Sequence, residues 1–74
     1  MKITVKLFAG FRNDRFKIED REYPNEATVG DILTSLGINH PELGVALVNA
    51  RHVTKQTVLT DGQTLSLFPK VGGG

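Results

Sequence analysis

Hydrophobic and polar positions alternate from the start of the chain. In KITVKLF, Ile3, Val5 and Leu7 fall on one face of an extended segment, and Lys2, Thr4 and Lys6 on the other. That period of two marks a strand with one buried face. AGFRNDR comes next, with the turn formers Gly10, Asn13 and Asp14. RFKIEDREY reads as a second strand, with Phe16 and Ile18 facing inward. Asp20 and Glu22 take the same parity, so the pattern predicts either a bulge or a strand that stops being buried. Pro24-Asn25 breaks it.

The period changes in ATVGDILTSLG. Val29, Ile32, Leu33 and Leu36 recur at helical spacing and form one apolar stripe. Thr28 is placed as N-cap with Asp31 three residues on, close to a capping box. Gly37 is placed as the C′ stop, and Gly30 weakens the first turn. After a loop around His40-Pro41, the apolar run in VALVNA predicts a central strand buried on both faces. NARHV reads as a turn and a short strand, and Asp61-Gly62 as a further turn. In TLSLF, Leu65 and Leu67 share one face, and Pro69 is expected to end the ladder. One helix and several strands imply an α+β layer pair, a twisted mixed sheet curled around the helix.

Composition narrows what such a fold can do. A chain of 74 residues is one domain. At this size about 60% of the unfolded surface is buried, enough for one small core but not for an enclosed substrate cavity as well. With no Cys, disulfides, thiolate metal sites and thiol catalysis are all excluded, which suits a reducing cytoplasm. No apolar run approaches the roughly 20 residues of a membrane span, and the N-terminus does not read as a signal peptide. A soluble cytoplasmic protein is therefore expected. A net charge of +1 gives no drive toward nucleic acid or anionic membrane.

Candidate chemistry is sparse along most of the chain. His40 and His52 have no Cys or dense carboxylates at ligand spacing, so no metal site is expected. Ser35 or Ser66 with His52 and Asp61 lack any local nucleophile signature. The closing Gly72, Gly73 and Gly74 are not a phosphate loop, because no helix comes after them. By composition alone these glycines are equally a frayed tail.

KLFAGFR, ATVGDILTSLGI, LVNARHV and LTDGQTLSLFPKVGGG stand in an order and spacing that resembles the ubiquitin-like sulfur-carrier family. That family has the β-grasp fold. It includes the small subunit of molybdopterin synthase and the thiazole-forming sulfur carrier of thiamine synthesis. The resemblance covers essentially the whole chain. The Asp-Gly turn, the Phe-Pro end of the last strand and the closing glycines together are its specific part. LFPKVGGG is more similar to the molybdopterin branch, whose tails run Phe-Pro-Pro-Val before the glycines. Lys70 replaces the second Pro, and Ala50 stands where many relatives carry Gly.

The resemblance implies a β-grasp domain over 1–69 and a flexible Gly-Gly tail over 70–74. It also implies a course of events at the tail. An E1-like enzyme adenylates the Gly74 carboxylate, a persulfide donor displaces AMP, and a thiocarboxylate remains. The large subunit of molybdopterin synthase then takes sulfur from it for a molybdenum or tungsten cofactor. On this reading the chain is a co-substrate and not an enzyme. It binds no cofactor, and ATP is used by the activating partner.

The residues agree with that scheme. A carboxylate is a poor electrophile until activated, and glycines let backbone thread a narrow channel. Gly73, Gly72 and Val71 are the expected threading residues, with Val71 and Pro69 directing the tail off the sheet. Phe8, Phe68, Pro69, Lys70 and Arg51 are the expected partner-binding residues. Phe8 and Phe68 fall opposite their Ile and Leu neighbours, so each ring either packs at an edge or belongs to a partner patch. Phe11 is expected in core or loop packing. Three other readings stay open: the thiazole sulfur carrier of thiamine synthesis, a ubiquitin-like modifier joined to lysines through Gly74, and a plain β-grasp interaction module.

Overall fold

The computed structural model describes residues 1–71. In chain order the elements are β1 (Lys2–Leu7), β2 (Ile18–Glu22), α1 (Val29–Ser35), β3 (Leu43–Val48), β4 (Arg51–Val53) and β5 (Thr64–Pro69). Short 3-10 turns at Ala9–Arg12 and His40–Glu42 precede β2 and β3. The sheet order is β2-β1-β5-β3-β4. β1 and β5 run parallel, and the remaining pairs are antiparallel. This is the mixed sheet with one α-helix that the pattern predicts.

The core lies between the sheet and α1. Ile3, Val5 and Leu7 from β1 and Leu65 and Leu67 from β5 meet Val29, Ile32 and Leu33 from α1, all at 0% exposure. Phe11, Ile38 and Leu59 close its ends. Each such side chain contributes about 1.5–3 kcal/mol relative to exposure. Phe11 thus packs in the core, as its sequence setting implies.

Local chemistry fixes the helix ends. Thr28 Oγ1 accepts from the Asp31 N–H at 3.1 Å, and Asp31 Oδ2 accepts from the Thr28 N–H at 2.9 Å. The shorter carboxylate therefore completes the capping box. At the other end Gly37 has φ +70. Its N–H donates to Thr34 O, and the Ile38 N–H donates to Leu33 O, a Schellman closure. Arg15 adds donors to the carbonyls of Leu36 and Gly37. Replacing Thr28 by Ala is expected to cost about 1 kcal/mol. Thermal unfolding followed by circular dichroism should then shift down by about 4–8 °C.

Two strand expectations are corrected. In β2 the register Lys6↔Ile18, Thr4↔Asp20 and Lys2↔Glu22 runs unbroken. Ile18 therefore shares the outer face with Asp20 and Glu22, and is 55% exposed. No bulge is needed, because the even positions never faced the core. On the other face Arg21 covers the edge. Its guanidinium lies 5.5 Å from the Phe16 ring centroid and bonds to Tyr23 Oη and Glu19 Oε1. Burial lowers the Arg21 pKa, but attraction and hydrogen bonds from Tyr23 and Glu19 outweigh it, and the net shift is upward. A charged edge strand also resists pairing with other chains.

In β3 only Ala46 and Val48 are buried, while Val45 lies open on the outer face. One seven-residue helix covers one face of the sheet, so a central strand still has an open side. Pro69 ends β5, as its sequence setting implies. It pairs with Leu43, and the Lys70 N–H donates to Glu42 O at 3.0 Å.

The turns form at the special residues. Asn49 (φ 48) and Ala50 (φ 70) make the β3–β4 turn with two left-handed residues, where Ala replaces a glycine-favouring position. Gly62 (φ 85) turns the chain into β5, and its N–H donates to Lys2 O at 2.8 Å.

Candidate docking face and tail root

Parallel pairing of β1 with β5 sets the first part of the site. Leu7 is opposite Leu67, and the Phe8 N–H donates to Leu67 O at 3.2 Å, so the ladder continues one residue past β1. Phe8 and Phe68 then project side by side on the outer face. Their rings stack with centroids 4.1 Å apart and planes 10° apart. Such a pair contributes about 0.5–1.5 kcal/mol beyond its area burial. Both rings remain half-buried because no second layer covers them.

The apolar strip extends to either side. Val45 is opposite Phe68 across β3. Ile18 lines one shallow cleft with Phe8, flanked by Lys6, Arg12 and Lys17. Arg12 Nε donates to Leu7 O at 2.7 Å, which holds its guanidinium 5.3 Å from the Phe8 ring centroid. The result is an apolar strip across four strands with a basic rim. It suits a partner surface with an apolar centre and acidic margins.

The tail leaves the sheet beside this strip. Pro69 is half-buried, Lys70 is exposed, and Val71 is 99% exposed. Ala9, Gly10 and Phe68 line the cleft along which Pro69, Lys70 and Val71 run. Of the expected site residues, Phe8, Phe68, Pro69, Lys70 and Val71 therefore lie together. Arg51 does not join them. It pairs with Val48, at the far end of β3 from Leu43, which pairs with Pro69. Gly72, Gly73 and Gly74, including the expected reactive carboxylate, lie outside the described residues.

Sequence reasoning missed Val45, Ile18, Lys6 and Arg12. Their apolar or basic character is visible in the chain, but the shared face exists only once the strand register is set. The histidines sit elsewhere. His40 Nε2 is 3.0 Å from Thr34 Oγ1, and His52 pairs with Leu47. Among the described residues there is no group of three His, Cys, Asp or Glu able to hold a metal ion. No helix among them is long and apolar enough to cross a membrane.

Comparison with curated proteins finds no match. Solved structures do match. The chain is similar to the HVO 2177 protein of Haloferax volcanii at 33% identity and TM-score 0.82, over 100% of this chain and 87% of that one. It is similar to SAMP1 from the same organism at 27% identity and TM-score 0.76, over 100% of both chains. It is also similar to a Pyrococcus furiosus protein described as subunit 1 of molybdopterin converting factor. There the identity is 26% and the TM-score 0.77, over 96% of this chain and 99% of that one. The ThiS family model matches residues 5–74, and with the five-stranded sheet around one helix this makes the chain a member of the ThiS family, among the ubiquitin-like sulfur carriers and modifiers of the β-grasp fold.

Proposed function

We propose that this chain carries sulfur as a thiocarboxylate on Gly74 and delivers it in molybdopterin synthesis. The observation that most supports this reading is the stacked Phe8–Phe68 pair beside the exposed Val71. A docking face lies next to the point where the tail leaves the sheet. The likeness to the Pyrococcus furiosus protein supports the molybdopterin branch.

The chemistry begins at the carboxylate. One carboxylate oxygen attacks the α-phosphorus of ATP in the site of an E1-like partner, and pyrophosphate leaves. The terminal sulfur of a persulfide donor attacks the acyl carbon, and AMP leaves. A thiol then splits the S–S bond, giving a disulfide and the thiocarboxylate. The chain supplies the carboxylate and the docking face, while the partners supply nucleotide binding and catalysis. The large synthase subunit finally accepts the tail and takes the sulfur.

The test is intact mass after incubation with an E1-like enzyme, ATP and a persulfide donor. A gain equal to exchanging one oxygen for sulfur supports the carrier. No change with a competent partner, together with full activity after deletion of Gly73-Gly74, would overturn it. The likeness to SAMP1, a small archaeal modifier protein, favours a second reading as a protein modifier. Conjugates of higher mass in the same experiment would support that reading. Binding to the large subunit of molybdopterin synthase, and not to a thiazole synthase, separates the two carrier branches.

The docking face has its own test. Phe68→Ala removes a half-buried ring from the centre of the apolar strip. Central aromatic anchors typically contribute about 2 kcal/mol or more, so affinity for the large subunit is expected to fall roughly 30-fold by titration calorimetry. Unchanged affinity would place the docking face elsewhere.

A further inference from the structure

Gly44 is a glycine without a backbone reason to be one. It does not adopt a left-handed φ, and it lies within β3, where glycine weakens a strand. Space is the reason. A Cβ at this position would stand 2.7 Å from Pro69 O and 2.9 Å from both the N and Cα of Lys70. These are backbone atoms, so no rotamer change relieves the overlap.

The register explains why the tail comes so close. Leu43 is opposite Pro69 and Val45 is opposite Phe68, so Gly44 is the extra residue of a bulge. Bulges increase local twist and bend the strand that carries them. Here the twist brings the root of the tail flat against β3, where the Lys70 N–H donates to Glu42 O at 3.0 Å. Beyond that bond Val71 is almost fully exposed.

We infer that Gly44 is a positioning residue for the tail: its missing side chain admits Pro69 and Lys70 against β3, the Lys70–Glu42 bond latches them there, and the latch sets the direction in which Val71 leads toward the activating enzyme. The inference rests on the carrier function proposed above. The latch is a backbone bond within the chain, from the Lys70 N–H to Glu42 O, and is distinct from the stacked rings of the docking face. A tail aimed wrongly still docks through Phe8 and Phe68 but presents its end poorly.

The test compares the full chain with Gly44→Ala. Because the tail root lies outside the core, the added methyl is expected to push Lys70 off β3 and leave the sheet folded. Amide hydrogen exchange should then show Lys70 losing about tenfold of protection while Leu65 and Leu67 keep theirs. Turnover by an E1-like adenylating enzyme, read as thiocarboxylate by intact mass, should lose about tenfold or more in kcat with KM within about twofold. Retained Lys70 protection, or unchanged kcat despite its loss, overturns the inference. The unsubstituted chain provides a second measurement: Lys70 exchanging no more slowly than Val71 overturns the latch, whether or not Gly44→Ala folds. If the unsubstituted chain is never adenylated, the carrier function fails, and the exchange data still decide whether the latch exists.

Discussion

Appending one residue after Gly74, or deleting Gly73 and Gly74, is expected to lower thiocarboxylate formation by about a thousandfold or more. Both variants still end in an α-carboxylate, so the reacting group is chemically unchanged. Only its position differs. One extra residue moves the carboxylate by up to about 3.5 Å, and removing two draws it back by about twice that. A misplacement of about 1 Å at a reacting centre can already cost a hundredfold. The Phe8–Phe68 face and the Lys70–Glu42 bond are untouched in either variant. Affinity for the partner is therefore expected to stay within about threefold, which separates loss of delivery from loss of docking. Time courses of intact mass with the E1-like enzyme, alongside titration calorimetry, make the comparison. Sulfur loading at the original rate in the extended chain would sink the proposed role of Gly74.

Leu65→Ala is expected to remove roughly a fifth or more of the total stability. Leu65 is at 0% exposure on the middle strand, opposite Val5 on one side and Val48 on the other. Truncating a buried Leu to Ala costs about 2–5 kcal/mol, because a cavity remains where packing was lost. At 0.05–0.15 kcal/mol per residue, a chain of this length has only about 4–11 kcal/mol in hand. The thermal midpoint should fall by about 10 °C or more. Val45→Ala, on the open outer face, should move it far less. Unfolding by heat and by urea, followed by circular dichroism, distinguishes the two. Equal shifts would mean that the single layer of contacts between sheet and helix is not what holds this fold.

Several features are readable residue by residue because their causes are local. The inward set of β1, the Thr28–Asp31 box, the Gly37 stop and the Leu65–Leu67 pair each depend on neighbours a few positions away. Strand period, capping geometry and a positive φ all act over that range. The family resemblance rests on the order of these same pieces together with the Phe-Pro end and the glycines.

The failures share a different cause. Ile18 reads as a core residue because its own strand carries conflicting signals, an apolar Ile18 at the same parity as Asp20 and Glu22. Its register with β1 decides between them, and places Ile18 opposite Lys6. Val45 reads as buried because an apolar run does not reveal how many layers will cover it. Gly44 carries no signal in the sequence at all, since the backbone it must admit comes from the other end of the chain.

The amino-acid order by itself thus determined the element types, the helix limits and the apolar sets of β1, α1 and β5. Tertiary structure alone decided that Phe8 and Phe68 stack, that Ile18 and Val45 extend their strip, that Arg51 lies apart from it, and that Gly44 seats the tail root. The physical reason is range. Backbone preferences and caps act between neighbours along the chain, whereas a shared face exists only after strands distant in sequence have chosen their partners and register.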